Sequence, residues 1–307
     1  MKILKSRGWE YSRQAEFNPV EAHAGKRGSD IVTWVDIAGN PAKPPDGSAP
    51  SPVEVLSGIS LPNFAALRFR DPNYFVAGGL HERPEFWNEI LEECPGDGPM
   101  VRKWLCEGVD MYDFFRPFQG SYRGRNFDSD IPPAMYFANA PVCKEFVPFI
   151  NETILKRIKE GSIELLGPVH AVDPPRCVNA LSVEPSKPRL VLSMKGPNLW
   201  CKDTPFHLTP LGEIVRSINK GGFFSGTDDA QGYKQVLLAE RSRTFCGFEW
   251  AGFYFVDTTL PFGFKNSAYI YSSIGFCFST WLKNRGIHTE IWIDDRFIGE
   301  AGGSGAI

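Results

Sequence analysis

Hydrophobic positions recur in this chain with two rhythms, and both are clearest in its C-terminal half. From Glu145 to Glu160, Phe146, Phe149, Ile150, Ile154, Leu155 and Ile158 return at steps of three and four. That spacing predicts an amphipathic helix, with Pro148 tolerated in its first turn and Gly161 as its stop. Leu211, Ile214, Val215 and Ile218 repeat the stripe behind Thr209 as N-cap and Pro210 at N1, predicting a helix over 211–219 that ends at Gly221-Gly222. A third helix, over 267–284, carries Tyr269, Tyr271, Phe276, Phe278 and Trp281 and stops at Arg285-Gly286. Its aromatics are read as core ahead of base stacking. Shorter helices are predicted from Glu85 to Glu93, before Pro95-Gly96, and from Val101 to Val109, weakened by Gly108.

β-Prone runs fall between these helices. They are Ile163–Val169, Val183–Leu192, Phe223–Asp228, and a pair at 244–250 and 253–257 around Ala251-Gly252. The last runs through Ile291-Trp292-Ile293-Asp294-Asp295 and on into Arg296-Phe297-Ile298, which predicts a hairpin with its tip at the acidic pair.

Composition divides the chain further. Residues 40–52 hold five prolines and few core formers, so 1–60 is expected to be a weakly structured N-terminal region with a Pro/Gly-rich linker. Residues 61–141 form a helical and loop region, and 142–307 a globular unit. The first 141 residues carry 15 Lys and Arg against 19 Asp and Glu, the remainder 18 against 17. Any basic surface must therefore come from local clustering. Seven cysteines without a C-x-x-C pair and five scattered histidines argue for buried thiols in a reduced, intracellular setting and against zinc. Met1–Arg7 lacks the apolar core of a secretory signal, and no run of about 18 apolar residues offers a membrane span.

The candidate chemistry is acidic. Like charges side by side, as at Asp294-Asp295, are costly without a cation between them, and Mg²⁺ takes oxygen ligands while keeping positions open for phosphates. Asp228, 66 residues upstream at the end of its own strand, is the candidate third carboxylate. Such a set would hold two metal ions for phosphoryl transfer. Lys187 and Arg189, at the mouth of a β-prone run, fit either a nucleotide's phosphates or an ordinary solvated strand end. Phe114-Phe115-Arg116-Pro117-Phe118 and Ser121-Tyr122-Arg123-Gly124-Arg125 interleave cations and aromatics. A loop packing its aromatics onto the next domain is favoured there over a nucleic-acid contact.

These residues, in this order, resemble the reverse transcriptase of DIRS/Ngaro-type retrotransposons. The likeness runs from about Val142 to Glu300, with a weaker extension through Gly120–Pro133. Lys187-Pro188-Arg189-Leu190 through Asn198-Leu199-Trp200 resembles the fingers motif. Asp228-Asp229-Ala230-Gln231-Gly232-Tyr233 resembles the first palm motif, D-x-x-x-G-Y. Leu260-Pro261-Phe262-Gly263 with Ser267 resembles the LPFG loop, and Trp292-Ile293-Asp294-Asp295 the Y-x-D-D box. Four ordered motifs are far more specific than a lone Asp-Asp.

The resemblance implies an RNA-directed DNA polymerase of α+β fold, with fingers and an antiparallel palm sheet backed by helices. Its partners would be an RNA template with a DNA primer, and dNTPs. Asp228 and Asp294 would coordinate two Mg²⁺ ions, with Mn²⁺ as the alternative metal. Asp295 would support them and the Asp229 carbonyl would add a ligand. Lys187 and Arg189 would hold the triphosphate, Tyr233 would exclude a 2′-hydroxyl, and Phe262 and Gly263 would touch nucleotide and template. The fingers would span 142–205, with strands 244–257 in or beside the palm.

The chain departs from the family pattern at Trp292, where Tyr is usual, and at Ser193 and Lys195, where Asp and Arg are expected. Twelve residues follow Asp295. The thumb and RNase H segment of a parent polyprotein are therefore expected to be missing. The alternative reading is a catalytically inactive remnant that binds nucleic acid or a partner. An unrelated metal-dependent phosphodiesterase would leave the LPFG loop and Tyr233 unexplained.

Overall fold

A computed structural model of the chain describes residues 75–82, 84–206, 208, 212, 214 and 224–300, and the backbone alone of 9–13 and 32–36. Within the first 60 residues, expected to be weakly structured, strands β1 (Trp9–Arg13) and β2 (Val32–Asp36) pair antiparallel. Both runs are rich in aromatic and β-branched residues, which favour extended backbone. The helix expected over 211–219 lies outside the described residues except at positions 212 and 214, which are helical.

Helices α1 (Pro84–Glu92) and α2 (Gly98–Glu107) bury Ile90 and Leu91, and Val101, Trp104 and Leu105. The second begins earlier than the hydrophobic pattern alone indicates, because Pro99 is favourable in a first turn. Helix α3 (Val147–Glu160) buries Val147, Ile150, Ile154 and Ile158. It ends where Gly161, at φ 76°, donates to the carbonyls of Arg157 and Ile158. Helix α4 (Ser267–Asn284) buries Ile270, Tyr271, Ile274 and Cys277. Among the described residues no helix is long and apolar enough to cross a membrane.

The aromatic-basic stretch forms a hairpin, β3 (Phe118–Tyr122) with β4 (Arg125–Ser129), turning at Arg123 and Gly124, both at positive φ. Phe118 and Phe127 set their rings edge-on to buried Trp200, at 4.9 and 5.4 Å. The Trp200 indole donates to the Ser129 carbonyl at 2.9 Å. These aromatics are therefore packing groups, as the sequence favoured.

The large sheet is mixed. It contains β5 (Met135–Tyr136), β6 (Ile163–Pro168), β7 (Cys177–Glu184) and β8 (Arg189–Ser193). The hairpin of β10 (Gly247–Trp250) and β11 (Phe253–Asp257) completes it. Its order is β5-β7-β10-β11-β6, with β8 paired to β7. One expectation is corrected here. Residues 244–246 belong to a 3-10 segment, Glu240–Cys246, so the strand starts at Gly247. The 247–257 hairpin joins the sheet of β6 and β7 rather than that of the acidic residues: β10 lies parallel to β7 and β11 antiparallel to β6. The reason is burial, since every residue of β11 is buried and needs neighbours on both sides.

A separate antiparallel sheet has the order β12 (Ile287–Trp292), β13 (Asp295–Glu300), β9 (Phe224–Asp228), and α4 packs against β12. One apolar core runs through helices α1 to α4 and the large sheet. Five of the seven cysteines, all of them free thiols, are buried.

Candidate active site

The small sheet builds the site. In β9–β13 register Asp295 stands directly opposite Asp228, and in β12–β13 register Trp292 stands opposite Asp295. Residues directly opposite on antiparallel strands point to the same face, so Asp228 and Asp295 share one. Asp294 occupies the two-residue turn with Ile293, and its carbonyl accepts a hydrogen bond from the Asp229 amide at 2.8 Å. All three carboxylates, Asp228, Asp294 and Asp295, are exposed. Ile293 sits at φ 58°, a conformation β-branched residues rarely adopt.

Alternation along a strand sends Asp229 and Arg296 to the other face. There the Asp229 carboxylate accepts from the Tyr271 hydroxyl at 2.7 Å and lies 3.8 Å from the Arg296 guanidinium. Arg296 is buried, donates to the Ser279 hydroxyl at 3.2 Å and lies over the Phe278 ring. Burial pushes the Arg296 pKa down, and Asp229 and Tyr271 oppose that shift. Burial pushes the Tyr271 hydroxyl up, and the hydrogen bond to Asp229 adds to it. The Asp229 side chain is thus an anchor beneath the sheet. Sequence reading placed its residue among the nucleotide contacts.

Tyr233 follows in a 3-10 turn, Gly232–Gln235. Its ring packs 4.9 Å from that of Phe262 and 5.5 Å from that of Tyr271. Burial raises the Tyr233 pKa, with the negative charge of Asp294 as the second cause. The glycine before it is required sterically, because a Cβ on Gly232 would meet the Tyr271 ring at 2.8 Å. Phe262 itself is 73% exposed. At Gly263 a Cβ would come within 2.1 Å of the Leu192 carbonyl oxygen, so this glycine lets its loop press onto β8. Asn198 ties the same joint: its amide donates to the Gly263 carbonyl at 2.8 Å and its oxygen accepts from the Lys265 amide at 3.0 Å.

Lys187 lies in the turn between β7 and β8, Arg189 opens β8, and both are exposed. Among the described residues neither forms an ion pair with Asp228, Asp294 or Asp295. The structure brings Asp228, Asp229, Tyr233, Phe262, Asp294 and Asp295 into one neighbourhood; Gly263 joins it to β8, and the two cations sit on a different sheet.

Beneath Tyr233 lies a buried ionic group that the sequence pattern did not indicate. Lys234 donates to Glu160 at 2.8 Å, with the Glu160 side chain fully buried. Gln231 and Lys156 also approach Glu160, at 3.4 and 3.7 Å. Burial lowers the Lys234 pKa, with Glu160 opposing. Burial raises the Asp257 carboxyl to about 6 despite Arg157 and Lys234. Glu160 closes α3, next to the Gly161 cap.

Among the described residues no group of three His, Cys, Asp or Glu side chains is arranged to hold a metal ion on its own. The available donors are hard carboxylate oxygens on one sheet end. They suit Mg²⁺, which is commonly held by one or two carboxylates with substrate phosphates completing its shell.

No family model matches the sequence, and no curated protein matches it. Among solved structures, the chain is similar to the foamy viral protease–reverse transcriptase in complex with double-stranded DNA, at 17% identity and TM-score 0.44, over 74% of this chain and 47% of that one. A second foamy viral protease–reverse transcriptase structure, also with double-stranded DNA, gives 17% and 0.43, over 75% and 39%. The chain thus spans less than half the length of either.

Proposed function

We propose that the chain carries the fingers and part of the palm of an RNA-directed DNA polymerase of DIRS/Ngaro type. One observation carries the reading: Asp228 stands opposite Asp295 and is tied to Asp294 through the next residue's amide, with Tyr233, packed on Phe262, near enough to feel the Asp294 charge. The reaction is in-line attack of a primer 3′-oxygen on the α-phosphorus of a dNTP. An O–P bond forms there, the bond to the β-phosphate bridge breaks, and pyrophosphate leaves.

Asp228 and Asp294 would hold Mg²⁺, supported by Asp295; when bound, the metal neutralises charge on the attacking and leaving oxygens. Tyr233, backed by Phe262 and Tyr271, forms a wall that a ribose 2′-hydroxyl would strike. Lys187 and Arg189 would meet the triphosphate once primer, template and nucleotide draw their hairpin towards the acidic sheet. The chain's share of the work is positioning and electrostatic complementarity.

The test is dNTP incorporation on a primed RNA template with Mg²⁺ or Mn²⁺. Incorporation that Asp294→Asn abolishes, with the circular dichroism spectrum unchanged, supports the reading. Salt-sensitive RNA binding without incorporation under either metal supports the second reading, an inactive nucleic-acid-binding remnant. That reading is favoured by the separation of Lys187 and Arg189 from the carboxylates and by Ser193 and Lys195.

A further inference from the structure

The turn that carries Tyr233 is bracketed by one buried carboxylate. Gln231 and Lys234 flank Gly232 and Tyr233, and both side chains converge on Glu160 at the end of α3. Lys234 Nζ donates to Glu160 Oε2 at 2.8 Å and also to Gln231 Oε1, while the Gln231 amide donates to Glu160 Oε1 at 3.4 Å. The backbone closes the same loop. The Ala77 amide donates to the Glu160 carbonyl at 2.9 Å, and the next amide, of Gly78, to the Lys234 carbonyl at 2.8 Å. Gln231 itself sits at φ 53°, a left-handed conformation uncommon outside glycine, so contacts from outside the turn hold its shape.

Stability alone is a weak reason for this carboxylate. The Glu160 side chain has no exposed surface, and it stands at the C-terminal end of a helix, where the last carbonyls already carry partial negative charge. Well-packed apolar side chains of similar volume are often as stable as a buried ion pair, or more so. What the ion pair supplies and an apolar pair does not is direction. Its two oxygens fix Lys234 and Gln231 separately, and with them the two residues between. From the other side the Tyr271 ring closes against Gly232 and lies 5.5 Å from that of Tyr233. The Tyr233 ring thus meets Phe262 from a turn fixed on two sides.

We propose, on the polymerase reading above, that Glu160 is a positioning residue for selection of the nucleotide sugar. Through Lys234 and Gln231 it holds the Tyr233 ring where a ribose 2′-hydroxyl would strike it.

Two readouts on the full chain test this, and one needs no activity. With tyrosine replaced by 3-fluorotyrosine, Tyr233→Phe identifies the Tyr233 fluorine resonance. Glu160→Met combined with Lys234→Met exchanges the ion pair for apolar side chains. It should leave the urea midpoint unchanged or raised, yet shift or broaden the Tyr233 resonance. Glu160→Gln, which keeps an acceptor for Lys234, should shift it in the same direction by less. In primer extension the double variant should lower the ratio of kcat/KM for a dNTP to that for the matching rNTP at least about tenfold, because the rNTP value rises. An unmoved Tyr233 resonance in both variants would overturn the proposal. Proportional losses for dNTP and rNTP, the mark of a merely structural role, would overturn it equally. If the wild-type chain incorporates no nucleotide, the polymerase reading falls, and the fluorine resonance alone decides whether Glu160 holds Tyr233 in place.

Discussion

Replacing Asp257 with asparagine is expected to stabilise the protein above pH 6 and leave it nearly unchanged near pH 4. Asp257 ends β11 opposite Ile163 of β6, and it is 6% exposed. Burial raises its carboxyl from 3.8 to about 6, with Arg157 and Lys234 only partly offsetting the loss of water. Below 3.8 both folded and unfolded chains hold the proton, so the group contributes nothing. Between 3.8 and about 6 the folded chain retains a proton that the unfolded chain has lost, and stability falls as pH rises. Above that window the folded protein carries the full cost of a buried charge. A shift of roughly two pH units at 1.36 kcal/mol each sets that cost at about 3 kcal/mol. Asparagine keeps the shape and discards the charge, so the gain at pH 7.5 approaches this ceiling. Urea unfolding followed by tryptophan fluorescence at pH 4, 5, 6 and 7.5 gives the wild-type-minus-variant difference. His81, whose pKa burial lowers from 6.5, imposes an opposite slope on both proteins and cancels in that difference. A difference that stays constant across this range, or a variant that is less stable at pH 7.5, would refute the argument. It would mean that Asp257 is ionised and favourably paired with Lys234 or Arg157.

Two further outcomes follow from packing and pairing. Lys234→Met strands the Glu160 carboxylate, fully buried in the native chain, and should cost about 3 kcal/mol in urea titrations, at the low end for broken buried pairs because Gln231 and Lys156 remain nearby. Adding Glu160→Gln should restore most of it, and strictly additive losses would show that the two do not interact. Gly263→Ala drives a Cβ into the Leu192 backbone, so a loss of about 1–3 kcal/mol is expected, checked by the urea midpoint; an unchanged midpoint would show that the loop does not press on β8.

What the sequence made legible was local. The 3.6-residue stripe located α3, an aromatic-rich run located the helix at 267–284, and glycines marked their ends. The acidic hairpin and its strand-like partner at Asp228 were visible as alternating runs. Partner choice was not visible. Nothing in 247–257 announces whether it pairs with β6 and β7 or with β9, because strand pairing depends on which apolar surfaces meet after collapse. The 3-10 segment at Glu240–Cys246 arose the same way, with Phe245 and Cys246 buried by tertiary contact rather than by strand alternation. Asp229 is a different case. Its role was available in principle, since the residue after a strand carboxylate must face the opposite side, and period-two bookkeeping would have paired it with Arg296. Glu160 and Lys234, 74 residues apart, carry no local signal of their contact.

The two faces of the small sheet explain how three carboxylates coexist at its end. Asp228 and Asp295, opposite each other, repel when ionised, and among the described residues neither forms an ion pair. Beneath them Arg296, the residue after Asp295, supplies positive charge 3.8 Å from the carboxylate of Asp229, which follows Asp228 and is held by Tyr271. The Asp229 amide then grips the turn through the Asp294 carbonyl. A turn held from outside can tolerate a poor conformation, and Ile293 occupies one at φ 58°. The strain therefore sits between the two acidic residues and Trp292, while the groups that restrain it lie on the far face. Substitutions at Asp229, Tyr271 or Arg296 should on this view disturb Asp294 through the backbone.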